Sequence, residues 1–120
     1  MPELVIRGGE AESFGFDWGA IKWLCNGTLL PGTELTFGVV WIRPGDSNPL
    51  HYHPNCEELL YVLSGECTHR LGEEVYHLKP GDLIRVPANV VHRAEASGWE
   101  PLQAIVVFDS PDRQTVVVEG

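Results

Sequence analysis

Basic residues are scarce in this sequence. Eight lysines and arginines stand against 17 aspartates and glutamates, which gives a formal net charge of −9 with histidine neutral. Nucleic acids and anionic membranes attract proteins through positive charge that neutralises their phosphate groups. The charge balance therefore disfavours nucleic acid and anionic membrane as partners.

Long apolar segments are also lacking, because no run approaches the roughly 18 residues of a membrane span. Hydrophobic residues make up 43% and charged residues 21% of the chain, and both values are typical of globular domains rather than disordered ones. The first residues, Met1-Pro2-Glu3-Leu4, lack the basic region and apolar stretch of a secretory signal. We expect a soluble domain in the cytoplasm.

Cysteine is limited to Cys25, Cys56 and Cys67. An odd number without a CxxC spacing favours reduced thiols over a disulfide framework. We expect Cys25 and Cys67 to be small core residues. Cys56 lies between His53 and Glu58, and we interpret it as a loop residue rather than a ligand or redox thiol.

Short runs of β-branched and aromatic residues recur along the chain, and none sustains a helical period. These runs are 35–42, 59–63, 83–86, 102–108 and 115–118. Tight turns are predicted at Pro31-Gly32, Pro44-Gly45, Pro80-Gly81 and within 70–74. Turn signals about every 8 to 12 residues are typical of an antiparallel sandwich or small barrel. At 120 residues, we expect one domain over 1–120.

Three histidines and a glutamate have the spacing of a metal site. His51 and His53 are separated by one residue, so both would point to the same face of a strand. A turn-prone segment follows, and we expect Glu58 to face the same point from a neighbouring strand. His92 lies well downstream. Imidazole nitrogen and carboxylate oxygen suit divalent iron, manganese, nickel, zinc or copper, and the sequence does not choose among them.

The same residues carry a resemblance to the cupin family. Its first motif, over 45–65, is matched by Gly45, five residues, His51-Tyr52-His53, four residues, Glu58, six residues and Gly65. Its second motif, over 81–96, is matched in part by Gly81, Pro87 and His92. Asn89 stands where the family usually has glycine, and Ala96 where it often has asparagine. Because asparagine tolerates a positive φ, we expect the turn at Asn89 to form. Ala96 has no polar side chain, so the sequence does not show which groups form hydrogen bonds at that corner.

The resemblance implies an all-β fold, an antiparallel jelly-roll β-barrel in a single domain. It also implies that one metal ion is held by inward-pointing His51, His53, Glu58 and His92. Without a metal, three inward imidazoles and a carboxylate would need several buried hydrogen-bond partners, which favours a metal over metal-free ligand binding. The family carries many functions on one architecture, so the resemblance transfers the site and not the reaction.

Other polar residues compete for these roles. Glu57 could replace Glu58, although the motif spacing to Gly65 favours Glu58. His69 and His77 lie outside both motifs, and we expect them to be hydrogen-bonded or exposed. We interpret three asparagines in turn-like contexts as turn residues: Asn26, Asn48 and Asn55.

The pocket lining follows from strand parity. Leu60 and Val62 would form an apolar floor, and three residues of adjacent strands are candidate walls, namely Phe37, Trp41 and Gln103. Such a pocket suits a small molecule with an apolar body and a polar chelating end. Trp18 and Trp23 are expected to pack the barrel or a subunit contact.

Both faces of segment 58–63 are apolar apart from Glu58, so both should be covered. Glu58, Leu60 and Val62 would face inward. The outer set of Leu59, Tyr61 and Leu63 would then need cover from the N-terminal strands or from a second subunit. We expect a homodimer.

Three functions remain open. Four protein ligands leave about two positions on a six-coordinate ion for substrate and for water or dioxygen. Iron or manganese would support a dioxygenase, which we favour; zinc, nickel or manganese would support a Lewis-acid isomerase, cyclase or lyase. A non-catalytic small-molecule-binding cupin is the third. Glu58, if displaced by substrate, would be a catalytic general base. No GxSxG, P-loop or GxGxxG motif occurs in the sequence.

Overall fold

The computed structural model describes residues 3–118, and this range contains eleven strands and no helix. The strands are β1 (Ser13–Phe16), β2 (Gly19–Cys25), β3 (Thr36–Ile42), β4 (His51–Tyr52), β5 (Glu58–Ser64), β6 (Cys67–Leu71), β7 (Glu74–Leu78), β8 (Leu83–Val86), β9 (His92–Ala96), β10 (Leu102–Phe108) and β11 (Val116–Val117). None of the described residues forms a helix of the length and apolarity needed to cross a bilayer.

The strands form two antiparallel sheets that enclose the core as a jelly-roll barrel. One sheet has the order β1-β2-β3-β10-β5-β8, and the other has the order β11-β4-β9-β6-β7. Alternate side chains of β3, β5 and β10 are buried, because successive residues of a strand point to opposite faces. The predicted all-β jelly-roll fold is confirmed.

Turn chemistry explains where the strands end. The glycines of the three Pro-Gly steps have positive φ, at +97° for Gly32, +85° for Gly45 and +97° for Gly81, a conformation that glycine adopts without a Cβ clash. Asn89 has φ +69°, so the expected asparagine turn forms. Ala96 is buried, and its corner is held by backbone bonds alone, one from its N–H to Asp46 and one to its carbonyl from Gly45.

The outer face of β5 has no cover among residues 3–118. Glu58, Leu60 and Val62 point inward as predicted, while Leu59 and Tyr61 are exposed. The N-terminal strands β1 and β2 add to the sheet beyond β3 instead of lying over β5. The predicted cover by the chain's own N-terminal strands is therefore wrong, because strand pairing to β3 satisfies the backbone of β2 at that edge.

Candidate metal centre

The four predicted ligands come together from both sheets. His51 on β4 pairs directly with His92 on β9, and His53 follows two residues after His51. Glu58 begins β5, which belongs to the opposite sheet. Glu58 faces the same point as the histidines, as predicted, but it does so from the opposite sheet and not from a strand beside theirs, because the chain crosses from one sheet to the other between His53 and Glu58. The carboxylate thus reaches the histidines across the barrel interior.

The ligand atoms of these four residues all lie within 4.8 Å of one another. The ring centroid of His51 is 4.2 Å from that of His92 and 4.9 Å from that of His53. His53, Glu58 and His92 are buried, and His51 is half-buried. Atoms about 2.1 Å from a shared ion lie at most about 4.2 Å apart, so only a small contraction would let all four touch one ion.

Backbone carbonyls fix the orientation of all three imidazoles. Each Nδ1 contacts a carbonyl oxygen: His51 that of Pro49 at 2.6 Å, His53 that of Gln114 at 2.9 Å, and His92 that of Val90 at 2.9 Å. A carbonyl oxygen can only accept, so each Nδ1 carries the proton. The neutral ring then presents an Nε2 lone pair, which is the arrangement that metal-binding histidines use.

Glu58 supplies the test of whether a cation fits. Its Oε1 lies 3.2 Å from Nε2 of His53 and 3.1 Å from Nε2 of His92. With Nδ1 protonated and the rings neutral, these contacts would set nitrogen lone pairs against a carboxylate oxygen. A proton on each Nε2 or a shared cation must therefore lie between them, and a single divalent ion satisfies all the lone pairs together. The donor set fits a metal ion.

The pKa shifts favour the ligand forms of these side chains. Burial raises the pKa of Glu58, but its close contacts with the imidazoles of His53 and His92 outweigh burial and hold that pKa well below its ordinary value. Burial, followed by the charge of His92, lowers the pKa of His51 to about 4. At neutral pH Glu58 is thus an anion and His51 a neutral imidazole, which are the protonation states that bind metals.

The competing residues lie outside the cluster. The Glu57 carboxylate accepts a hydrogen bond from Arg85 at the surface. Cys56 is buried in the hydrophobic core, and burial raises the pKa of its thiol. Glu58 is therefore the carboxylate of the cluster. His77 is exposed and contacts Thr68 Oγ1 at 3.2 Å, in agreement with prediction.

His69 differs from its prediction. It was expected to be exposed or hydrogen-bonded, but it is fully buried, and neither ring nitrogen has a partner among the described residues. Burial lowers its pKa to about 4. The parity of β6 turns its ring into the barrel, where it stacks on His92. No sequence motif marked this residue, because nothing local distinguishes an inward from an outward histidine on a short strand.

A cavity of about 50 Å³ adjoins the cluster. It is lined by Ile21, Trp23, Val40, Ile42, Asn48, His51, His53, Glu58, Leu60, Ala94, Leu102, Ala104, Val106, Phe108 and Arg113. Leu60 lines the cavity as predicted for the apolar floor, whereas Val62, predicted for the same floor, is buried but does not line the cavity. The prediction of Phe37, Trp41 and Gln103 as walls is wrong, because the buried positions of β3 and β10 have the other parity.

The wall includes residues that sequence reasoning assigned elsewhere or missed. Asn48, expected in a turn, accepts a hydrogen bond from the Ala94 N–H at 2.9 Å and faces the cavity. Trp23 packs on the core as expected and also lines the cavity. Sequence reasoning did not identify Arg113 as a cavity residue, because it lies in an irregular segment without periodicity. The only feature that could have pointed to Arg113 is that basic residues are rare in this chain.

Fold and site together define the class: a β-barrel whose three histidines and one glutamate are suited to hold one metal ion. A family model described as "Cupin domain" matches residues 38–108. That match covers more than half of the chain, and the chain belongs to the cupin family.

Proteins of plants and bacteria are similar to the chain. Protein SchB of Streptomyces halstedii is 32% identical over 90 residues, which cover 75% of this chain and 64% of that protein. The rhicadhesin receptor of Pisum sativum is 30% identical over 118 residues, covering 89% of this chain and 51% of the receptor. The chain thus spans between half and two thirds of the length of these two relatives.

Solved oxalate decarboxylases share the fold. The Lactobacillus farciminis enzyme in its formate complex has a TM-score of 0.85 at 22% identity, covering 92% of this chain and 34% of the enzyme. A structure from work on the Mn(II) centres of Bacillus subtilis oxalate decarboxylase has a TM-score of 0.86 at 24% identity, covering 93% of this chain and 31% of the enzyme. At this identity the likeness establishes the fold alone.

Proposed function

We propose that this cupin is a mononuclear metal-dependent enzyme that acts on a small organic metabolite as a dioxygenase. The observation that carries the proposal is the convergence of three carbonyl-oriented Nε2 atoms and Glu58 Oε1 beside a cavity. His51, His53, Glu58 and His92 would hold the ion. Bound iron(II) or manganese(II) supplies both Lewis acidity and the one-electron chemistry that dioxygen requires.

The protein's own residues contribute orientation, water exclusion and a base. Carbonyl contacts keep the imidazoles in place, so little reorganisation accompanies metal binding. Apolar residues such as Val40, Ile42 and Leu60 line the cavity and limit water beside the cluster. Glu58, if substrate displaces it from the ion, is the proposed general base. A Glu58→Gln enzyme that keeps both its metal and its full rate would remove that role.

Manganese and iron are the metals we propose first. Support comes from the nitrogen-rich donor set, which suits divalent transition ions, and from the Mn(II) centres named for the structurally similar Bacillus subtilis enzyme. Elemental analysis of untagged protein purified without chelators would test this choice. About one equivalent of manganese or iron per chain is expected, whereas zinc or nickel would favour Lewis-acid chemistry.

Oxygen consumption tests the reaction class. Protein reloaded with its metal is mixed with a panel of diketones and catechols, and dioxygen uptake is followed; we expect uptake with at least one compound and none with His92→Ala. An exposed histidine variant, His77→Ala, is the matched control and should keep wild-type uptake. Substrate conversion under anaerobic conditions would instead establish a Lewis-acid isomerase, cyclase or lyase. Tight binding without conversion would establish a binding protein.

We also propose that the chain forms a homodimer through the outer face of β5. Leu59, Tyr61 and Leu63 are 36%, 40% and 43% exposed, and Leu83, which pairs with Tyr61, is 54% exposed. Monomers seldom leave such contiguous apolar patches uncovered. Sedimentation at micromolar concentration should give a dimer that Tyr61→Lys dissociates, and a wild-type monomer would reject the proposal.

A cytoplasmic location remains our proposal, supported by three free cysteines.

A further inference from the structure

Arg113 lies at the boundary between the inner cavity and an open groove of about 190 Å³. The two spaces share four lining residues: Ile21, Asn48, His51 and Arg113. These four therefore stand where the groove meets the cavity, and one of them is a member of the metal cluster. Arg113 therefore lines both spaces, as does His51 of the metal cluster.

Aromatic rings hold the guanidinium in place. Its central carbon lies 4.5 Å from the ring centroid of Trp23 and 5.3 Å from that of Phe108. Nη1 also donates a hydrogen bond to Thr115 Oγ1. Cation–π contacts of this kind orient an arginine without neutralising its charge. Its remaining N–H groups stay available as donors.

The backbone around Arg113 is fixed to the metal site. Asn55 donates to the carbonyl of Asp112 at 2.8 Å and accepts from the Gln114 N–H at 3.0 Å, so one side chain bonds both neighbours of Arg113. The Gln114 carbonyl in turn contacts Nδ1 of His53 at 2.9 Å. The position of the guanidinium is thus coupled to that of a metal ligand through a short, hydrogen-bonded segment.

The charge of Arg113 is not matched by a direct partner. No carboxylate lies within 4.0 Å of it among residues 3–118, whereas the exposed Arg85 pairs with Glu57. Glu58 is the only acid among the described residues lining the cavity and the groove. The site is cationic when it holds a divalent ion, because the ion carries two positive charges and Arg113 one, whereas Glu58 carries a single negative charge. A partly buried cation without a partner is costly, and an anionic ligand removes that cost.

We propose that Arg113 anchors the substrate and that the substrate is a small organic carboxylate. This inference rests on the proposed function, because it names the substrate class of the same site. The carboxylate pairs with the guanidinium fork, which matches its two oxygens. The cavity holds only a few atoms, since one water molecule already occupies about 30 Å³. The organic body therefore lies in the groove, against Phe16 and Trp18, whose rings stack at 4.9 Å.

Calorimetric titration with benzoate and its uncharged isostere benzamide tests the proposal. The experiment uses the metal-free and the manganese-loaded protein. Wild type should bind benzoate at least tenfold more tightly than benzamide in both forms. In the metal-free protein, where no ion attracts the carboxylate, Arg113→Met should abolish that preference by weakening benzoate binding at least tenfold. The matched control is Arg43→Met, which removes the same charge from an exposed loop position and should keep the preference. Equal binding of both probes by wild type, or unchanged benzoate binding by Arg113→Met, would overturn the proposal.

A second variant guards against loss of folding. If Arg113→Met no longer unfolds cooperatively, Arg113→Lys is measured instead. Lysine keeps the positive charge but lacks the planar guanidinium that pairs with both carboxylate oxygens, so this variant should bind benzoate several-fold more weakly than wild type. Wild-type affinity in that variant would overturn the anchor. Metal content, measured separately, distinguishes the failure of one proposal from the failure of the other. Protein that prefers benzoate to benzamide but binds no metal would refute only the proposed function. Protein that binds metal but shows no such preference would refute only the role of Arg113 as an anchor.

Discussion

The ring of His69 lies parallel to that of His92, with 9° between the ring planes and 5.8 Å between the centroids. His92 Nδ1 contacts the Val90 carbonyl, while neither nitrogen of His69 has a partner among the described residues. An unsatisfied buried polar group costs about 1–3 kcal/mol. His69 therefore lowers the free energy of unfolding, although its ring packs against one face of His92, a residue of the candidate metal site.

Replacement of His69 should reveal that cost. His69→Leu keeps a similar volume without polar atoms, so we expect its free energy of unfolding to rise by about 1–3 kcal/mol. His69→Ala removes the same unsatisfied nitrogens but leaves a cavity that costs about 2–5 kcal/mol, so we expect it to be clearly less stable than His69→Leu. Urea denaturation of the metal-free proteins at pH 7 measures both. Destabilisation of His69→Leu by more than 1 kcal/mol would mean that the imidazole makes hydrogen bonds that stabilise the fold.

Removal of a cluster histidine should abolish the stabilisation conferred by metal. Saturation at about 100 times Kd adds about 2.7 kcal/mol to the wild-type free energy of unfolding. His92→Ala should show no increase, because one of four donors is lost and Glu58 Oε1 loses a partner. Thermal unfolding with and without manganese measures the difference, with His77→Ala as control. A wild-type response in His92→Ala would contradict the assignment of this ligand.

Two motif glycines should respond differently to the same substitution. Gly65 and Gly45 have φ values of +78° and +85°, but a Cβ at Gly65 would lie 2.3 Å from the Pro101 carbonyl oxygen, whereas nothing lies within 4 Å of one at Gly45. Gly45→Ala should cost about 1–2 kcal/mol, the price of a left-handed alanine. Gly65→Ala should cost clearly more, because backbone must move. Equal losses in urea denaturation would refute the steric explanation.

Thiol accessibility should follow burial. Cys67 and Cys56 are buried, and burial raises the pKa of both, that of Cys67 to about 12. At pH 8 the Cys67 thiolate is therefore negligible, and thiolate is the reactive form. We expect Ellman's reagent to modify only the half-buried Cys25 in folded protein and all three thiols in urea. Rapid reaction of two or three thiols without denaturant would contradict this expectation.

Strand prediction succeeded where sequence alternation and turn chemistry agreed. The predicted runs 83–86 and 102–108 coincide with β8 and β10, and run 35–42 begins one residue before β3. The short strands β6 and β7 were anticipated only as a hairpin around 70–74, because each is stabilised by neighbours more than by its own residues. Phe37 was assigned to the wrong face, since β3 is apolar on both sides and its parity depends on which sheet covers it.

The sequence by itself determined an antiparallel β fold and the four candidate ligands, and its resemblance to the cupin motifs implied the jelly-roll barrel, because motif spacing, strand alternation and turn residues are local properties. Only the tertiary structure decided that Glu58 approaches from the opposite sheet and that His69 is buried. It also decided that His53 contacts Gln114, 61 positions later in the chain. Arg113, the residue before Gln114, lines the cavity. No local pattern predicts this placement, because an irregular segment is positioned by hydrogen bonds to distant residues.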